Sequence, residues 1–204
     1  MNIDFYITAF VTLFVVIDPI GLTPIFLAVT KGMPRERRRS IALRACGISA
    51  ALLLLFGILG EEVLNFIGIS MPAFRIAGGI LLFITALDML FERRTERRQG
   101  QADDPGNDPS VFPLSIPLLA GPGAIASMIL LTEQAEGDLA AWAAIFAVMA
   151  LVMGISLGLF LMANFIERVT DETLIAVITR LLGMLLAALS VQFVLDGLRN
   201  FGFV

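Results

Sequence analysis

The chain has no histidine and a single cysteine, Cys46. Without histidine there is no Ser-His-Asp triad, no H-E-x-x-H zinc site and no histidine proton relay. A lone cysteine forms no intramolecular disulfide and no cysteine metal cluster, and within an apolar run it packs as a small hydrophobe. No G-x-x-x-x-G-K-[ST] occurs, so the chain carries no Walker-type ATP site, and no cofactor is indicated. Charge is scarce as well. Only 16% of the 204 residues are charged and the net charge is −4, against roughly a quarter charged in a soluble domain. Such a chain offers no basic surface to nucleic acid. Its start, Met1-Asn2-Ile3-Asp4, lacks a basic n-region and reads as the beginning of a first span rather than a signal peptide.

What is abundant is apolar surface, at 58% of residues. A soluble domain of this size leaves about a quarter to a third of its chain surface wet and could not hide so much, so the solvent is a lipid bilayer. Apolar runs cover roughly 5–29, 41–60, 72–91, 112–132, 139–164 and 174–196. Each is long enough to cross ~30 Å of hydrocarbon at ~1.5 Å per residue. Continuous runs of this kind are helices, because a barrel strand alternates.

The loops alternate in charge. Lys31, Arg35, Arg37, Arg38, Arg39 and Arg44 follow span one, Arg93, Arg94, Arg97 and Arg98 follow span three, and Arg168 follows span five. The other side carries Glu61, Glu62, Glu133, Glu136 and Asp138, with Arg199 its one basic residue. The positive-inside rule places the basic loops in the cytoplasm and both termini outside.

The 92–110 stretch, from Gln99 to Pro109 above all, has soluble composition and reads as a cytoplasmic linker. It divides the chain into 1–91 and 111–204, each with three spans. An odd number forces the second half to enter from the opposite side, so related halves are inverted repeats. Arg75-Ile76-Ala77-Gly78 in span three matches Arg180-Leu181-Leu182-Gly183 in span six. Spans one and four each carry a central interruption, Asp18-Pro19-Ile20-Gly21-Leu22-Thr23-Pro24 and Ala120-Gly121-Pro122-Gly123-Ala124. The expected fold is an all-α integral membrane protein of six transmembrane helices, arranged as two inverted-topology three-helix repeats with broken first and fourth helices.

Proline removes a backbone donor and clashes with the preceding turn. Backbone freed at membrane depth is tolerable only where it is buried in protein or lines a cavity, and paired midplane breaks in repeats point to a transporter binding site. Asp18 before Pro19 is an N-cap signal, and Thr23-Pro24 repeats it one turn later, so the second half-helix begins at either place. Gly121 before Pro122 has no side chain to cap with. The half-helix after it presents free N–H groups and a positive dipole end, suited to a carboxylate. Asp18 is the one acid near the centre of a span, where a charge costs about 2.5–3.5 kcal/mol on insertion scales. It either caps its own half-helix or also faces the cavity, accepting an ammonium group or cycling a proton.

Ser127, one turn beyond the span-four break, and Thr85, near the centre of span three, are further candidates to line the site. Thr12, Ser115, Ser156, Asn164, Thr179, Ser190 and Gln192 are expected to bond to neighbouring helix backbone, and Asp88 and Asp196 to sit at interfaces. Arg75 and Arg180 are expected to snorkel to headgroups, with pairing across the repeat interface as the alternative. Gly154-Ile155-Ser156-Leu157-Gly158 permits close packing within the bundle, or else a homo-oligomer.

The run from Phe14 through Asp18-Pro19-Ile20-Gly21-Leu22-Thr23-Pro24 to Phe26 resembles the first-span signature of the MarC family of bacterial integral membrane proteins. Pro117-Leu118-Leu119-Ala120-Gly121-Pro122-Gly123-Ala124-Ile125 resembles its fourth-span signature. More distantly, the chain resembles exporters of the LysE type. Leu22 stands where members often have a small polar residue after the glycine. The resemblance implies a proton-coupled transporter of small neutral amino acids such as glycine or alanine, in the bacterial inner membrane. On this expectation the substrate carboxylate meets N–H groups around Gly121 and Gly123. Its ammonium meets Asp18 or the carbonyls between Pro19 and Thr23, and Asp18 couples the proton or other ion. Other readings are an exporter of other small metabolites or drugs, or an ion channel, although no helix shows a polar stripe. An enzyme is disfavoured: an intramembrane aspartyl protease needs two central aspartates, and only Asp18 qualifies.

Overall fold

The computed structural model describes residues 3–91, 108–135, 138–163, 165 and 172–202. All regular structure among them is helical: α1 (Ile3–Ile17), α2 (Pro19–Val29), α3 (Arg35–Phe66), α4 (Met71–Leu90), α5 (Ser110–Leu119), α6 (Pro122–Glu133), α7 (Leu139–Leu161) and α8 (Glu172–Asn200). Arg93, Arg94, Arg97, Arg98, Arg168, Glu136, Asn164 and the linker up to Asn107 lie outside the described residues.

Five helices are long and apolar enough to cross a membrane, counting Ile3–Val29 as one, and the pair α5–α6, bent by 55°, makes up to six. Several helices outrun their apolar stretches. α3 begins at Arg35, six residues before its apolar run, because arginine and glutamate are themselves good helix formers.

The first span is the most buried and α8 the least. α1 and α2 pack against α7, α3 against α5, α6 and α7, and α4 against α8. Leu43, Leu54, Leu59 and Val63 on α3 and Leu181, Leu185 and Leu195 on α8 face outward, as lipid-covered surfaces require. The α4–α8 contact is antiparallel and depends on small residues. A Cβ at Gly79 would lie 2.8 Å from Ser190 O, one at Gly183 3.2 Å from Ala86 O, and one at Gly197 3.1 Å from Pro72 O.

Two expectations are corrected here. Gly154 and Gly158 do not pack inside the bundle, since a Cβ at either would meet open space; their side of α7 faces away from the other helices. Arg75 does not snorkel. It is 8% exposed and its Nη2 bonds Oε2 of Glu133, while the matching Arg180 is exposed. Near the start of α3, Arg44 Nη1 lies 3.6 Å from Asp108 Oδ2. Asp108 anchors the start of α5, accepting from Ser110 N at 3.0 Å and Ser110 Oγ at 2.8 Å.

Candidate functional site

The break in span one is a single residue. Asp18 adopts the left-handed conformation (φ 55°, ψ 63°), which aspartate tolerates better than most side chains. Hydrogen bonds continue across it: Asp18 N donates to Phe14 O at 2.9 Å, and Leu22 N donates to Asp18 O at 3.0 Å. Its Oδ1 accepts from Gly21 N at 3.0 Å, so Asp18 is the N-cap of α2 and Pro19 the first helical residue. Gly21 is required at that place, because a Cβ there would overlap Asp18 Oδ2. The second cap signal is not used: Thr23 lies within α2, and its hydroxyl donates to Pro19 O at 2.9 Å. Pro19 and Pro24 cannot supply the N–H that a regular helix would aim at Val15 O and Ile20 O.

The break in span four is more extensive. Gly121 is extended (φ −79°, ψ 169°) and caps α6 with no side-chain bond, with Pro122 next. Ile125 N returns to Gly121 O at 3.0 Å, which leaves the N–H groups of Gly123 and Ala124 without intrahelical acceptors. α5 before it is a wide-turned helix rather than an α-helix. Ala120 N reaches back five residues to Ser115 O at 2.8 Å, and Phe112 and Ile116, each before a proline, are extended. The single proton of Ser115 Oγ is shared between Ser110 O at 2.5 Å and Ala45 O on α3 at 3.1 Å. The distortion follows from Pro113 and Pro117, four residues apart, each removing a donor and pushing its predecessor out of the helical region.

The fold brings the two breaks together. A Cβ at Gly123 would lie 3.2 Å from Val16 Cγ1, 3.2 Å from Leu82 Cδ2 and 3.7 Å from Thr85 Oγ1. Gly123 thus sits where α1, α4 and α6 meet, against Val16, which is two residues in sequence from Asp18. Asp18 is 1% exposed, and Pro19, Thr23, Gly123, Ala124 and Ser127 are also buried. Ile20, Gly21, Gly121 and Thr85 are half-buried, and Pro122 is exposed.

Thr12 was expected to bond to neighbouring backbone; instead its buried hydroxyl has no partner, and the same holds for Ser127 and Thr179. α6 runs from the break toward Arg75, while α1 runs from that end toward the break. Thr12, one turn before Val16, and Ser127, one turn after Gly123, therefore stand at one level. Of the other polar side chains, Ser115 reaches a neighbouring helix, whereas Thr85, Ser156 and Ser190 bond to their own, the first through Leu81 O at 2.9 Å. Gln192 donates to Asp196 at 2.9 Å.

Residues 3–201 match the family described as "MarC family integral membrane protein". The chain is 35% identical over 205 residues to the UPF0056 membrane protein MJ1677 of Methanocaldococcus jannaschii, covering 98% of each chain. It is 35% identical over 200 residues to the UPF0056 membrane protein YhcE of Escherichia coli, covering 96% of this chain and 92% of that one. It is 32% identical over 193 residues to the E. coli UPF0056 inner membrane protein YhgN, covering 95% of each. No solved structure matches it. With a match over nearly its whole length, the chain belongs to the MarC family of integral membrane proteins.

Proposed function

We propose that this chain is a secondary transporter of small neutral amino acids that works by alternating access around the two helix breaks. The carrying observation is the packing of Gly123 against Val16, which joins the break in span four to the break in span one. The buried carboxylate of Asp18 suits a substrate ammonium, and the uncapped N–H groups of Gly123 and Ala124 suit its carboxylate. Val16, Leu82 and Thr85 close around Gly123, and this crowding favours a substrate with a small side chain. Asp18 is the residue for proton coupling, and the chain has no enzymatic role.

In this reading the α5–α6 pair is a full span. Its ends are tied to opposite ends of the bundle, Asp108 to Arg44 near the start of α3 and Glu133 to Arg75 near the start of α4. The six spans then form two inverted repeats with both termini outside. The α4–α8 crossing supports this. Shifted by the R-x-x-G register, the contacts of Gly79 with Ser190 and Val194 fall within a residue of those of Gly183 with Ala86 and Met89. Rocking of one repeat against the other would open the buried breaks to each side in turn.

The experiment is uptake and efflux of labelled glycine, alanine and serine in proteoliposomes, with and without a pH gradient. Saturable, counterflow-competent flux of at least one is expected. Absence of flux for all three sinks the substrate reading, and non-saturable flux without counterflow indicates a channel. Asp18→Asn retains the cap, so gradient-driven accumulation at the wild-type level in that variant would remove the proton role.

A further inference from the structure

A cavity of about 470 Å³ opens at the end of the bundle opposite the Arg75–Glu133 pair. Three spans stop there together: α2 ends at Val29, α3 begins at Arg35 and α7 ends at Leu161. Span ends mark the level where hydrocarbon gives way to headgroups.

One wall is Arg35, Arg38 and Arg39, which share a face of α3 by their i, i+3, i+4 spacing. The base is apolar, with Phe26 and Phe160 stacked at 4.6 Å between ring centroids. Leu161, Met162 and Phe165 stand exposed at the rim. Arg38 is held in place, its Nε donating to Thr30 O at 3.1 Å.

Arg35 and Arg39 concentrate positive charge on this face. Like charges at this spacing repel. They also occupy the N-terminal turns of a helix, where the dipole is already positive and the first-turn acid, Glu36, does not line the cavity. The N-cap, Pro34, contributes no side-chain acceptor. Elsewhere on α3, Arg37 and Arg44 act on Asp108. The described lining of the cavity contains no acidic side chain. An anion with an apolar tail would correct both the charge and the exposed rim.

We propose that this cavity holds the phosphate of an anionic phospholipid. The guanidinium groups of Arg35 and Arg39 take the phosphate oxygens, for which their fork geometry is suited. An acyl chain runs along Leu161, Met162 and Phe165. Basic pockets between spans favour acidic headgroups in this way. A free phosphate would satisfy the arginines but leave the rim uncovered, so the occupant is a lipid.

The test is native mass spectrometry of the full chain in detergent, titrated with phosphatidylglycerol or phosphatidylcholine, with inorganic phosphate as a third arm. Arg35→Gln/Arg39→Gln should lose one tightly bound phosphatidylglycerol, its affinity falling roughly thirtyfold. Arg37→Gln/Arg44→Gln, on the Asp108 side, should keep it. Equal loss in both double variants overturns the proposal, as does competition by inorganic phosphate at the concentrations at which the lipid binds. If the first variant does not fold, Phe165→Trp in a Trp142→Phe background decides. Its fluorescence should be quenched more by brominated phosphatidylglycerol than by brominated phosphatidylcholine, and equal quenching overturns the assignment.

Discussion

Arg75, one turn into α4, is bonded through Nη2 to Oε2 of Glu133, the last residue of α6. A carboxylate at a helix C-terminus opposes the helix dipole, so Glu133 depends on the guanidinium beside it. The pair joins the third span to the fourth at one end of the bundle, and Arg75 Nε is buried with no partner of its own.

Removing Glu133 leaves the Arg75 guanidinium buried and uncompensated. Glu133→Ala should cost about 3 kcal/mol, and Arg75→Leu/Glu133→Leu should recover most of that loss. Thermal melts in detergent check it. Equal destabilisation by the single and double variants would show that the pair matters by shape rather than charge.

Gly21→Ala places a methyl group on Asp18 Oδ2 and should break the cap of α2, at a cost of about 1–2 kcal/mol. Shortening the acid relieves the overlap, so Asp18→Ala/Gly21→Ala should be less destabilised than the sum of the single changes. A double-mutant cycle on melting temperature measures the difference, and strict additivity would refute the overlap.

The two glycines of the second break differ. A Cβ at Gly121 would lie 2.5 Å from the backbone oxygen of Pro117, whereas at Gly123 the nearest atoms are side-chain methyls at 3.2 Å. Gly121→Ala should therefore destabilise by roughly 2 kcal/mol and Gly123→Ala by less than about 1. Gly123→Ala should instead lower flux, because its added methyl group occupies space between Val16 and Leu82. Melting curves beside proteoliposome flux separate the two effects.

Asp108 gives a pH dependence. Ser110 donates to it from backbone and side chain, and with Arg44 and Arg37 nearby its carboxyl titrates below the usual range. A depressed native pKa means the linked stability is present above ~3.9 and is lost as pH falls through the lower native value. With 47% of the side chain exposed the effect is small. Wild type should lose melting temperature slightly faster than Asp108→Asn between about pH 5 and pH 2, and parallel curves would deny the linkage.

The breaks and spans were legible because each depends on residues adjacent in sequence. Asp18-Pro19 and Gly121-Pro122 carry their backbone consequences with them. Pro113 and Pro117 carried the same kind of signal, and reading their four-residue spacing would have foretold the wide turns of α5. The faces of helices were not legible. Arg75 near a span end suits headgroups and a distant glutamate equally, and only the approach of α4 to α6 decides between them. The open side of Gly154 and Gly158, and the levelling of Thr12 with Ser127, likewise depend on which helix stands opposite.

The two breaks leave comparable donors behind their prolines, Ile20 and Gly21 in one half, Gly123 and Ala124 in the other. In the first half Asp18 already answers Gly21, while in the second no side chain answers either. The carboxylate of Asp18 thus closes one helix start while the other keeps bare donors, so the two breaks are electrostatically unequal.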